Sequence, residues 1–384
     1  MLKCQRDKFM LQRKYAYINC AYMSPLMKKV ENAGRAGMKL KRKPYKITGD
    51  HFFHETKTLR LLFSELINAN APERCAIIPS VSYGMASVVN NLPKKGEIIV
   101  VEGQFPSNVY PWLSLESEGY KIRIIETPKG IKKGKEWNER IIAAINKKTV
   151  LVAIGHVHWA DGTLFDLVGI RKKLDDVDGL LVIDGTQSVG ALPFDCQVIK
   201  PDALIVAGYK WLMGPYSIGM AYYGPKFDGG RPIEQNWINR LNSDDFAGLV
   251  SYQPAYRDGA SRYEVGEHSN FILVPMLIAA IKQLLNWKPE EIQLYCKNLF
   301  AEVLPNIESL GFGIEDEEYR SAHLFGLQLP TNIDGANAMQ IFKQRKVSVS
   351  LRGNAIRLSP HVYNDETDVR KLLSALEEIA GIPA

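Results

Sequence analysis

The chain has 384 residues, 46% of them hydrophobic and 23% charged, with a formal net charge of +6. That length can bury a large core beside a smaller companion unit, and the charge is too mild to imply a nucleic-acid partner. The five cysteines (Cys4, Cys20, Cys75, Cys196, Cys296) are scattered and odd in number, with no CxxC pair, which argues against a disulfide framework or zinc cluster and for a reducing compartment.

In chain order, the amino terminus is charged and lacks the apolar core of a signal peptide, and apolar runs break within about ten residues, too short for a bilayer. The expectation is a cytoplasmic chain with no membrane contact. Lys39, Lys41, Arg42, Lys43 and Lys46 form one basic cluster, read as solvated surface. Pro79-Ser-Val-Ser82 opens a helix with Ser82 near its cap. Apolar, β-branched runs then recur at Ile98–Glu102, Tyr120–Ile125, Val150–Ile154, Leu180–Ile183 and Ala203–Val206. Between them, Lys129, Lys132, Lys133 and Lys135 mix with Gly130 and Gly134 in what reads as a solvated, hairpin-like loop, and Leu167–Leu174 reads as a crossover helix. Near-continuous hydrophobicity means burial on both faces, as in a mostly parallel sheet flanked by helices. The fold class is therefore α/β.

After about residue 260 the pattern changes. Phe271–Trp287 reads as a helix, Ala322–Leu329 as a strand and Ala336–Arg345 as a helix. Val347–Leu351 and Ala355–Leu358 read as a hairpin turned at Gly353-Asn354, and Glu366–Ala380 as a final amphipathic helix. The expected division is a large α/β domain over 45–260 and a small α+β domain built from 1–44 and 261–384.

Two strand ends carry the chemistry. Leu180–Ile183 runs into Asp184-Gly-Thr-Gln187, and Ala203–Val206 runs through a small-residue turn into Gly208-Tyr-Lys210. Ligands of such sheets gather at the carboxyl ends of strands. A lysine and an aspartate there can grip pyridoxal phosphate: the amine forms a Schiff base and the carboxylate keeps the ring nitrogen protonated. His156-Val-His158 puts two imidazoles on one strand face, but no third ligand follows at a metal-binding spacing, so no metal is expected. No GxGxxG or Walker loop is present.

With those segments in this order, the chain resembles the class V branch of the fold-type I pyridoxal-phosphate enzymes, which includes cysteine desulfurases, kynureninase and isopenicillin-N-epimerase-like proteins. The resemblance implies Lys210 as the Schiff-base lysine and proton shuttle, Asp184 at the ring nitrogen and Gln187 at the cofactor's phenolic oxygen. It implies Ser82, Tyr83 and Tyr209 at the phosphate, where free amides of a helix amino terminus suit an anion. Phe105 would stack on the ring, and a His-Val segment like the one at His156 would line the cofactor. Arg357 would clamp the substrate carboxylate in two parallel hydrogen bonds. Asn19, Tyr22 and Asn108 are weaker substrate candidates, and Ser269 and Asn270 would reach the partner's cofactor in a homodimer.

The resemblance leaves the reaction open. Desulfurases of this branch need a mobile nucleophilic cysteine before the carboxylate-binding arginine, and Val347–Asn354 contains none. The favoured expectation is a class V aminotransferase-like enzyme acting through an external aldimine on a small amino acid. A kynureninase-like hydrolase or a selenocysteine/cysteine lyase is the alternative, and a degenerate binding module that has lost catalysis is the reading from another class.

Overall fold

The structure is a computed structural model and describes residues 2–381. Its centre is a seven-stranded sheet. In chain order the strands are β1 (Cys75–Ile78), β2 (Glu97–Val101), β3 (Lys121–Ile125), β4 (Thr149–Gly155), β5 (Leu180–Asp184), β6 (Ala203–Ala207) and β7 (Gly219–Tyr223). Their spatial order is β1-β7-β6-β5-β4-β2-β3, with β7 antiparallel to both neighbours and all other pairs parallel. The mostly parallel sheet flanked by helices is the one the apolar runs predict. β1 and β7 went unread because β1 has only four residues and β7 includes glycine and tyrosine rather than a β-branched run.

β2, β4, β5 and β6 are buried along their whole length, as their hydrophobicity requires. β3 is an edge strand whose Lys121 and Arg123 blunt it against further pairing. Four helices that pack into the cores on the two faces of this sheet are α1 (Lys28–Lys41), α2 (Val81–Val89), α3 (Leu167–Asp175) and α4 (Leu273–Trp287). Helix α3 is the expected crossover between β4 and β5. Helix α4 buries Val274, Leu277, Ile281 and Leu284 in the same apolar cluster as Ile154, Ile183 and Val206 of the large sheet. Helix α1 lies close along it, with Gly34 against Met276.

A second core lies around a three-stranded antiparallel sheet of β8 (Phe325–Gln328), β9 (Ser350–Arg352) and β10 (Ala355–Leu358), in the order β9-β10-β8. The hairpin turns at Gly353-Asn354 as expected, with Gly353 at φ +57°, a left-handed value that glycine adopts freely. The run before it is broken, however. Val347–Ser348 pairs in parallel with Ala16–Tyr17, and only from Ser350 does the chain join β10. Ala16 and Ile18 share this core with Phe342, Leu358 and Leu372.

The second basic cluster needs correction. No hairpin forms there: Gly134–Ala144 is a helix that includes Lys135. Lys133 is mostly buried, pairs with Asp161 and lies 5.4 Å from the Trp137 ring centroid, because folding brings that carboxylate to it.

Candidate active site

The carboxyl ends of β4, β5 and β6 converge on one cavity of about 310 Å³, a volume suited to a small cofactor. Its wall includes Ser80, Ser82, Phe105, Val157, Trp159, Asp184, Thr186, Gln187, Tyr209 and Lys210. A second cavity of about 430 Å³ adjoins it and shares Phe105, Trp159, Tyr209, Lys210 and Tyr216. Ala21, Tyr22, Met23, Arg352 and Arg357 complete that second wall. Lys210 therefore borders both spaces.

The turn after β6 aims Lys210. Gly208 donates its amide to Ile218 O, and a Cβ at Gly208 would come within 2.3 Å of that oxygen, so only glycine fits there. Lys210 is 6% exposed, and its Nζ lies 5.3 Å from the Phe105 ring centroid and 5.5 Å from that of Tyr209. Burial lowers its pKa to about 8; Asp184 opposes the shift, while Arg357 and Arg352 reinforce it. Asp184 is also buried. Desolvation raises its carboxyl above the usual range, against the hydrogen bonds from Thr186 and the charge of Lys210. Thr186 fixes the turn: its amide donates to Asp184 Oδ1 at 3.0 Å, and its Oγ1 accepts from the Ala207 amide at 3.1 Å. The two strand ends are thereby stitched together.

Gln187 borders the cavity, but its amide is held from both sides. Nε2 donates to Ala21 O at 3.2 Å, and Oε1 accepts from Trp211 Nε1 at 2.8 Å. At the opposite wall β1 leads into α2. The cap is Ser80, whose Oγ accepts from the Tyr83 amide, while Ser82 lies in the first turn, 3.0 Å from Ser80 Oγ. Ser82 lines the cavity; Tyr83 does not, and its amide is taken by the Ser80 cap.

Arg357 sits on β10 with 1% of its surface exposed. Nη1 donates to Trp159 O at 2.7 Å, whereas Nε and Nη2 are buried without a partner. Among the described residues it forms no ion pair, and burial lowers its pKa to about 9, with Arg352 adding to the effect. A buried guanidinium with two idle donors beside a cavity is an open receptor for a carboxylate.

Several expected residues lie elsewhere. Asn108 is fully buried and its Oδ1 accepts from Trp112 Nε1, so it holds a helix rather than lining either cavity. Asn19 is buried too, accepting from Ser350 Oγ and donating to Val349 O, which pins β9. Ser269 donates to Phe52 O, and Asn270 Oδ1 accepts from the Ile272 and Leu273 amides at the start of α4; neither borders this chain's own cavity, and their expected place is at a partner's cofactor. His156 and His158 also turn away. The segment that follows β4 presents Val157 and Trp159 instead, and His158 is fixed between Asp161 and Gly103 O. Trp159, Thr186, Ser80 and Arg352 are the residues that sequence reasoning passed over. The period-two pattern around His156 was the signal available for Trp159.

The fold and site together define an α/β enzyme scaffold with a buried lysine and aspartate at adjacent strand ends. The aminotransferase class-V family matches residues 42–372, and the chain belongs to that family. It is accordingly a pyridoxal-phosphate-dependent enzyme of the transferase or lyase type acting on amino acids. Among curated relatives, a probable cysteine desulfurase of Pyrococcus abyssi is 30% identical, with 83% of this chain and 82% of that protein covered. An uncharacterised aminotransferase of Bacillus subtilis is 26% identical over 85% of this chain and 84% of its own length. Among solved structures, a cysteine desulfurase from Thermococcus onnurineus superposes with a TM-score of 0.82 at 20% identity, covering 99% of both chains. A C-DES variant with glycine linked to its cofactor gives 0.86 at 19% identity, covering 99% of this chain and all of that one. These structural likenesses show the shared fold.

Proposed function

We propose that this chain is a transaminase, removing the amino group of an amino acid held between Lys210 and Arg357. The observation that carries the reading is the idle, buried guanidinium of Arg357 in a cavity continuous with Lys210. The residues present fit pyridoxal phosphate: Lys210 would hold its aldehyde carbon, Asp184 its ring nitrogen, and the first turn of α2 with Tyr209 its phosphate. When bound, the cofactor supplies an electron sink for bond breaking at the substrate's α-carbon.

The chain's own groups set up the rest. Arg357 orients the substrate by its carboxylate, which presents the α-carbon towards Lys210. A lysine whose pKa is about 8 can take a proton at Nζ and return it near neutral pH. Phe105, Tyr209, Tyr216 and Trp159 wall the space with aromatic surface and keep water from the reacting atoms. Tyr22, exposed at the mouth, is the entry-segment residue that meets the substrate.

Transamination is favoured over desulfuration because, among the described residues, no cysteine borders either cavity. Cys20, Cys75, Cys196 and Cys296 are buried and Cys4 lies at the surface. The segment where a nucleophilic loop would stand is instead the β9–β10 hairpin. Unpaired cysteines support a reducing, cytoplasmic setting, and no helix among the described residues is long and apolar enough to cross a membrane. A homodimer, with Ser269 and Asn270 at the partner's cofactor, is part of the same reading. Exposed Val250 and Tyr252 offer apolar surface for it, and size-exclusion chromatography with light scattering tests it: a fully active monomer contradicts it.

The test of the reaction is the absorption spectrum of the purified protein before and after each of a panel of amino acids, with product analysis. Conversion of the yellow band to the pyridoxamine form, with release of the matching keto acid, is expected. A yellow band that persists while pyruvate, alanine or sulfide accumulates overturns transamination in favour of a lyase or hydrolase.

A further inference from the structure

We infer that the substrate is an amino acid whose side chain ends in a second anionic group of carboxylate size, received by Arg352. The inference rests on the proposed role of Arg357 and extends it to the other end of the substrate. Arg352 and Arg357 occupy the two strands of one hairpin. Arg352 pairs with Ala355, two residues before Arg357, so the two arginines project from the same face as diagonal neighbours. Such neighbours are roughly 7–8 Å apart at Cα, within reach of the two ends of one small dianion.

Both line the cavity that adjoins Lys210. Trp159 organises the pair: its carbonyl accepts from Arg357 Nη1, and its ring centroid lies 5.4 Å from the Arg352 guanidinium. Arg352 Nη1 donates only to the carbonyl of its neighbour Leu351, and its Nε is buried without a partner. Among the described residues neither arginine forms an ion pair, and no aspartate or glutamate lines this cavity. Two guanidinium groups therefore converge beside Lys210, whose charge Asp184 answers from the first cavity, and among the described residues no carboxylate answers either arginine. One substrate carboxylate satisfies Arg357; Arg352 is left for another. An uncharged side chain such as the methyl of alanine would leave Arg352 unanswered.

The test is calorimetric titration of the purified protein, of known cofactor content, with two unreactive ligands: succinate, a dicarboxylate, and propionate, a monocarboxylate. Succinate is expected to bind roughly tenfold to a hundredfold more tightly, the worth of one further charged hydrogen-bonded contact. R352Q should erase that advantage, and R352K should restore part of it, because lysine keeps the charge without the planar fork. Amino-acid panels on the holoenzyme should show the same order, with aspartate or glutamate reacting in preference to alanine. Equal affinity for succinate and propionate, or an advantage untouched by R352Q, overturns the inference. A succinate advantage that depends on Arg352 in a protein that takes up no cofactor sustains the inference and overturns the transaminase reading instead.

Discussion

Replacing Lys210 with methionine gives a direct energetic test of the site. Methionine keeps the length and apolar stem of lysine but carries no charge. The ammonium of Lys210 is almost fully buried and its pKa falls from 10.5 to about 8, with burial the largest cause. Because the folded pKa lies below the unfolded one, both states are protonated below about pH 8 and the burial penalty is then fully present. Between pH 8 and 10.5 the unfolded chain binds the extra proton, so wild-type stability rises with pH until the penalty is gone. The K210M variant, stripped of cofactor like its wild-type control, should be more stable at pH 7 by on the order of 3 kcal/mol. For a chain of this size that corresponds to about 4 °C in melting temperature. Differential scanning calorimetry at pH 7 and pH 10 reads the effect. The advantage should shrink at the higher pH. An equal gain at both values, or a loss at pH 7, would refute the placement of a buried charged lysine at the end of β6.

Three further outcomes rest on individual contacts. Arg357→Gln should weaken binding of amino-acid carboxylates by roughly tenfold to a hundredfold while changing fold stability little, since relief of a buried charge with two idle donors offsets the lost bond to Trp159 O; spectral titration and a melting curve check the two parts. Ser80→Ala removes the cap of α2 and should cost about 1 kcal/mol in urea denaturation, together with weaker retention of the cofactor phosphate on dialysis. Trp211→Phe strands Gln187 Oε1 in a buried position and should cost about 1–3 kcal/mol, also read by denaturation; no change would mean that this bond is not what holds Gln187.

The sheet was legible because burial on both faces writes itself as unbroken apolar runs, and β2, β4, β5 and β6 carried that mark; the edge strand β3 was read from its isoleucines. Lys210 and Asp184 were legible for a related reason. A charged residue closing such a run stands at a strand's carboxyl end, where α/β sheets place their ligands. The polar residues that were misjudged failed in another way. Asn19 and Asn108 have the right chemistry for a site, but Asn19 is held by Ser350 and Val349 and the Oδ1 of Asn108 by Trp112, and a sequence shows donors and acceptors without their partners. The amide of Tyr83 is lost to Ser80 in the same manner. Trp159 and Arg352 were hidden by their neighbours: the imidazoles beside Trp159 drew the chemical reading, and Arg352 lies in a segment read only for its missing cysteine. Folding brings these two together through the β9–β10 hairpin, a contact between residues far apart in the chain.

Everything proposed for this site depends on Lys210 holding the cofactor, and chemical trapping is the decisive experiment. Borohydride treatment of the holoprotein makes a lysine-linked cofactor permanent, and peptide mass spectrometry then locates it. A single phosphopyridoxyl adduct on Lys210 is expected. An adduct on any other lysine, or none in protein loaded with cofactor, would contradict the assignment.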